Sequence, residues 1–273
     1  MVDLLGKINY KLLLKMVELC FLGTGGSVET PERDNTSLLI NYDENLILID
    51  CAGSVFKKIT SLGFDPGKIS SIIVTHIHPD HVYGLPIFVH SLMLNEIQIN
   101  LYGSEETVCF CRKLLDLFNL QKDKVKCKIN FVDLNPGEKF SMGPSLKVST
   151  FKVPHNSSSL AFHFYFDSED REMIYSGDTP LYPPLFQEAR DIDLLIHDCC
   201  APERIFNNYP YIHTMHTNSL ELGRYSQQSR VKCLIPCHFF GELDYSIVEV
   251  EKEIRKNYKG NLIIPEDLMR ISL

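Results

Sequence analysis

Residues 75–81 read Thr75-His76-Ile77-His78-Pro79-Asp80-His81, directly after Ser71-Ile72-Ile73-Val74, a β-branched apolar run that reads as a buried strand ending there. Four metal-type ligands thus fall within six positions. Neutral imidazole and carboxylate suit borderline cations such as zinc. A strand end feeding a loop lets His76 and His78 point the same way while Asp80 and His81 turn toward a second centre. The spacing suggests two metals. A surface loop that is merely His-rich would have no reason to place these ligands immediately after a buried strand.

Two metals need about seven or eight ligand contacts, so the remainder must come from elsewhere in the chain. His155 ends the alternating run Ser145 to Val153, Asp178 ends Met173-Ile-Tyr-Ser-Gly177, and His238 ends Val231-Lys-Cys-Leu-Ile-Pro-Cys237. Taken singly, each is more often a cap or turn residue than a ligand. Jointly they repeat one pattern, a ligand at the end of a strand.

This pattern resembles the metallo-β-lactamase superfamily, and within it the ribonuclease Z (tRNA 3′-processing endonuclease) branch, whose His-x-His-x-Asp-His signature matches residues 76–81. Phe21-Leu-Gly-Thr-Gly-Gly26 looks like the family's opening strand and glycine turn. Pro31-Glu-Arg33-Asp-Asn35-Thr-Ser37 loosely resembles its proline loop, and Leu48-Ile-Asp50 its first acidic motif. The resemblance implies one metal held by His76, His78 and His155, a second held by Asp80, His81 and His238, and Asp178 bridging them. The ions would be two divalent metals, zinc in the first place, with manganese or iron as alternatives.

In ribonuclease Z a His-Glu-Ala-Thr motif supplies a carboxylate that orients a second, catalytic histidine just before a helix. The corresponding text here is Ile196-His197-Asp198-Cys199-Cys200 and Met215-His216-Thr217-Asn218-Ser219, with Asp in place of Glu. His216 would then be the general acid that protonates the leaving oxygen, fixed and charge-stabilised by Asp198. The bland alternative is that Thr217 or Asn218 caps the helix that follows and His216 is incidental. Both can hold at once.

The ribonuclease Z family also inserts a long tRNA-gripping arm between its third and fourth motifs. Here only Asn156 to Gly177 separates His155 from Asp178, and Leu160-Ala-Phe-His-Phe-Tyr-Phe166 and Glu172-Met-Ile-Tyr175 flanking Asp167-Ser-Glu-Asp-Arg171 read as a plain hairpin. The short connection argues against folded tRNA while leaving phosphodiester chemistry open.

The 273 residues, 44% of them hydrophobic, suffice for one large two-layered domain. Residues 16–273 read as a single metallo-β-lactamase domain and residues 1–15 as an N-terminal extension of some amphipathic character ahead of a second plausible start at Met16, read either as a short extra helix or as a misassigned start, with membrane anchoring the lesser alternative. Nine cysteines without zinc-ribbon spacing suit reduced cytoplasmic thiols. The chain shows no membrane-spanning run and no signal peptide.

A net charge of −8 disfavours strong nonspecific nucleic-acid binding. Lys122, Lys124, Lys126 and Lys128 alternate with Asp123, Val125, Cys127 and Ile129, so a strand here would carry four lysines on one face. A solvated or pairing-blocked edge is the favoured reading, and an RNA-backbone track the other.

Strands are expected near 17–23, 36–42, 45–50, 70–75, 97–102, 124–133, 146–153, 159–166, 172–176, 193–197, 231–236 and 267–272, and helices at 53–63, 82–94, 104–119, 181–189, 217–229 and 245–257. This order agrees with the α/β αββα sandwich that the resemblance implies, two mixed sheets face to face with helices outside.

Two metals would generate a bridging hydroxide near neutral pH, oriented by Asp80, and neutralise charge on a non-bridging phosphate oxygen. Arg33, Asn35 and the amides of the Gly23–Gly26 turn are candidates to hold substrate phosphate. The expected function is a dinuclear-metal phosphodiesterase acting on a small nucleotide-type diester or an unstructured RNA 3′ end. The alternatives are a tRNA 3′-processing endonuclease, a metal-dependent ester, thioester, lactam or lactone hydrolase, and a metal-binding protein with a regulatory or structural role. The resemblance also implies a homodimer.

Overall fold

The computed structural model describes residues 16–43 and 45–273; the expected N-terminal extension lies outside them. The chain forms two seven-stranded mixed sheets, ordered β14-β1-β2-β3-β4-β5-β6 and β13-β12-β11-β10-β9-β8-β7. The first holds β1 (Glu18–Gly23), β2 (Ser37–Tyr42), β3 (Asn45–Ile49), β4 (Ile69–Ile73), β5 (Gln98–Gly103), β6 (Lys128–Asp133) and β14 (Arg270–Ser272). The second holds β7 (Lys139–Ser141), β8 (Leu146–Lys152), β9 (Leu160–Phe166), β10 (Arg171–Tyr175), β11 (Leu194–Asp198), β12 (Cys233–Cys237) and β13 (Asn261–Leu262). In each sheet three strand pairs are antiparallel and three parallel.

The period-2 geometry of strands sorts side chains into layers. From β2, Leu38, Ile40 and Tyr42 enter the core between the sheets while Leu39 faces the outer helices. From β9, Leu160, Phe162, Phe164 and Phe166 enter the same central core and Ala161 faces outward. Helices α1 (Val55–Ser61), α3 (Leu85–Ser91) and α4 (Glu105–Leu117) cover the first sheet, and α5 (Pro183–Glu188), α7 (Ser219–Gln228) and α8 (Ile247–Asn257) cover the second. The result is the αββα sandwich expected. Among the described residues no helix is long and apolar enough to cross a membrane.

Three expectations need correction. The helix expected at 82–94 is two pieces, the single turn α2 (Pro79–Val82) and α3, because Pro86 cannot donate its backbone to a preceding turn and Gly84 sits at the joint. The strand expected from 124 begins only at Lys128; Lys122 and Lys124 lie in the turns before it and Lys126 pairs with Glu96, so no four-lysine strand face forms. The stretch between Cys200 and His216, given no element from sequence, holds α6 (Glu203–Asn208) and a 3-10 turn, Pro210–Thr214. The short strands β7 and β13 were likewise not expected.

Candidate metal centre and active site

Every expected ligand sits at or just beyond the C-terminal end of a strand, or on the turn that follows it. His76 and His78 lie on the loop after β4, and Asp80 and His81 on α2, which starts where Pro79 presets the helical backbone. His155 follows β8, Asp178 follows β10, and His238 follows β12. Gly177, at φ +57°, and His238, at φ +70°, turn the chain so that these side chains point inward. A non-glycine residue held in that region is strained, a condition that concentrates at functional sites.

The seven side chains converge as two groups that share Asp178. His76, His78, His155 and Asp178 present ligand atoms all within 4.8 Å of one another, as do Asp80, His81, Asp178 and His238. Asp178 Oδ2 lies 3.8 Å from Nε2 of His76 and of His155, 3.4 Å from His81 Nε2 and 3.1 Å from His238 Nε2. Asp80 Oδ2 lies 3.6 Å from His81 Nε2 and 3.3 Å from His238 Nε2.

The imidazoles are oriented from behind. His81 Nδ1 is 2.8 Å from Asp50 Oδ2, and Asp50 is fixed in turn by the Thr75 backbone N–H at 2.8 Å and the Thr75 hydroxyl. His155 Nδ1 donates to the Met215 carbonyl at 2.8 Å, and His76 Nδ1 meets the Thr75 hydroxyl at 3.0 Å. With those nitrogens engaged, His76 Nε2 and His81 Nε2 are buried without a hydrogen-bond partner. An unpaired buried polar atom is costly, and a cation between the imidazoles and Asp178 would satisfy both.

Charge points the same way. Asp50, Asp80, Asp178 and Asp198 are all buried, and none of the residues lining the adjoining cavity is Lys or Arg. Burial alone would raise the Asp178 carboxyl, yet His238, His81 and His76 converge on it and hold it well below the usual carboxylate range. Burial acts to lower His81, but Asp178 and Asp50 outweigh it and hold it well above the usual histidine range. A divalent cation would answer the same negative field.

The second constellation also assembles. His216 Nδ1 lies 2.9 Å from Asp198 Oδ2, which also accepts the Thr179 backbone N–H at 3.0 Å. The His216 ring stacks on His238 at 5.1 Å. Burial pushes His216 down, and burial with the nearby Asp178 charge pushes Asp198 well above its ordinary range. Asn218, two residues on, caps α7 by accepting from the Glu221 backbone N–H. The cap and the His–Asp pair coexist.

Arg33 and Asn35 are placed elsewhere. The Arg33 guanidinium donates to Thr24 and to the Pro265 carbonyl and lies 4.7 Å over the Phe239 ring, while Asn35 is buried and donates to the Gly26 carbonyl. The glycine turn is committed as well: Gly25 N–H donates to the Asp34 carbonyl and Gly26 N–H to the Phe239 carbonyl. A Cβ on Gly23 would meet the Asn35 carbonyl oxygen at 1.9 Å, so glycine is required there by close backbone approach. These groups build the loop beside the metal centre and do not line its cavity.

A cavity of about 190 Å³ opens onto the centre, lined by His78, Asp80, Asp178, His216 and His238 together with Ser27, Tyr211, Ile212, Met215 and Phe240. Ser27, Tyr211, Ile212 and Phe240 carry no mark in their local spacing, and Met215 stands out only as the neighbour of His216. Asp50 was noted only as a motif, without its role behind His81.

The model of the protein family described as anti-Pycsar protein Apyc1 matches residues 17–245. The chain belongs to this family. It is also 25% identical to a ribonuclease Z of Methanosarcina acetivorans over 94% of this chain and 98% of that protein. That alignment runs over 309 residues, more than the 273 of this chain, so the relative carries inserted segments that this chain does not have. In fold the chain is similar to the metallo-beta-lactamase fold protein YhfI from Bacillus subtilis, with a TM-score of 0.79, 17% identity and coverage of 95% of this chain and 100% of that one. It is similar too to human tRNase Z, short form, with a TM-score of 0.74, 19% identity and coverage of 93% and 98%. The chain therefore has the metallo-β-lactamase fold that these structures share.

Proposed function

We propose that the protein is a dinuclear phosphodiesterase, with zinc as the first-choice metal, that acts on small nucleotide-type diesters or unstructured RNA 3′ ends in the cytoplasm. The observation that carries this reading is the His216–Asp198 pair beside two ligand groups that share one carboxylate. His76, His78 and His155 would hold one ion and Asp80, His81 and His238 the other, with Asp178 between them. Bound there, the ions would supply a water activated near neutral pH and Lewis-acid stabilisation of phosphate charge.

The chain's own residues do the rest. Asp80 accepts a hydrogen bond from the attacking water and aims it. His216, held by Asp198, gives a proton to the departing alkoxide, which a phosphodiester requires more than a thioester does. The incoming phosphate's negative charge favours the imidazolium that this step needs. Small substrates are favoured by the 190 Å³ cavity and the β9–β10 hairpin in place of an arm. The acidic net charge of −8 adds to this. The nine free cysteines suit a reducing compartment.

A tRNA 3′-processing endonuclease is the second reading, favoured by the relatives named ribonuclease Z. The test of the chemistry is His216→Ala on two leaving groups in metal-loaded protein. Hydrolysis of alkyl or ribosyl diesters should fall by about 10²–10⁴-fold, while p-nitrophenyl diesters, whose phenolate departs unaided, should lose far less. Equal losses with metal content intact would remove His216 as the acid, and turnover of a lactone or thioester with no diester cleaved would refute the phosphodiesterase reading.

A further inference from the structure

Tyr211 is 67% exposed and lines the cavity in which Asp80, Asp178, Ile212, His216 and His238 are buried. Its support is firm. The neighbouring Ile212 is buried with Ile205 and Phe206 in a small core under α6 and the 3-10 turn, and the Ile212 carbonyl accepts the His216 backbone N–H at 2.9 Å. The Thr214 hydroxyl closes the turn onto the Tyr211 carbonyl at 2.7 Å. The same packing that holds His216 in place therefore holds Tyr211 out over the site.

A second aromatic ring lines the cavity. Phe240 stands edge-on to His216 at 5.0 Å and to His238 at 5.7 Å, half-buried among the site's own imidazoles. The volume, about 190 Å³, is below the roughly 300–1,000 Å³ of pockets for drug-sized ligands, so it suits one flat ring next to a phosphate. A large exposed aromatic at a rigid position, facing a phosphate-sized centre, is the arrangement by which proteins stack on a nucleobase.

We propose that Tyr211, with Phe240, forms a stacking platform for the base of a mononucleotide-sized substrate and sets the preference for nucleoside over simple alkyl phosphates. This rests on the phosphodiesterase reading for its biological meaning, but it can be tested without turnover. Titration calorimetry of metal-loaded protein with AMP and with ribose 5-phosphate isolates the contribution of the base. The wild type should bind AMP more tightly, and Tyr211→Ala should cut that advantage by at least about fivefold, the low end of base–aromatic stacking. Tyr211→Phe, which keeps the ring, should retain it.

In turnover of thymidine 5′-(p-nitrophenyl phosphate), the Tyr211→Ala defect should appear in KM with kcat changed little, because a stack is made equally in the ground and transition states. If the wild type shows no AMP advantage, or Tyr211→Ala keeps it, the platform is refuted. If the diester is not hydrolysed but the AMP advantage depends on Tyr211, the phosphodiesterase reading fails and the platform stands.

Discussion

Asp50 shows how a single buried residue shapes the centre. It is fully buried, sits at φ +57°, and accepts hydrogen bonds from Thr75 while facing His81 Nδ1 at 2.8 Å. A carboxylate behind a ligating imidazole fixes its tautomer and raises its basicity. Asp50→Asn should therefore weaken metal binding at the Asp80, His81 and His238 group by about 10–100-fold while the His76, His78 and His155 group fills normally. Metal content read against free zinc would show one retained and one weakened equivalent; two undisturbed equivalents would deny Asp50 this role. The seven candidate ligands stood out along the chain because they fall at the ends of strand-like runs or on the turn that follows one. Asp50's hydrogen bonds, and the convergence of Tyr211 and Phe240 from segments that flank His216 and His238, exist only once the chain has folded.

At the scale of elements, α7 carries His216 at its entrance. Asn218 accepts from the Glu221 backbone N–H at 2.9 Å, and its amide donates to the Glu221 carboxylate at 2.7 Å, a reciprocal cap. Asn218→Ala should cost about 1 kcal/mol and lower the melting temperature by about 2–4 °C. The unfolding midpoint in denaturant checks this, and an unchanged midpoint would mean the cap contributes nothing. Strands such as β2 and β9 were readable because each is a run of six or seven mostly aliphatic and aromatic residues. The two-residue β13 and three-residue β7 carry too few positions to show a period. The lysine alternation before β6 misleads because exposure also alternates there, with Val125 and Cys127 buried beneath exposed lysines in irregular backbone.

Across the whole molecule, the two sheets meet through one apolar core and bring the ends of β4, β8, β10, β11 and β12 to a single edge. That edge collects the candidate metal ligands and the His216–Asp198 pair, so the packing that sets the fold also assembles the candidate site. What grips a macromolecule must lie outside this core, and in this chain the connection from β9 to β10 is a plain hairpin. Without an arm, folded RNA would rely on scattered surface lysines, whose attraction is screened steeply by salt. The most direct test of the account is the ratio of kcat/KM for a small nucleotide diester to that for pre-tRNA bearing a 3′ trailer, measured in one metal-loaded preparation at physiological salt. The account predicts a ratio well above one, with little salt dependence for the small diester and a steep decline for the tRNA; efficient pre-tRNA cleavage exceeding that of every small diester would contradict it.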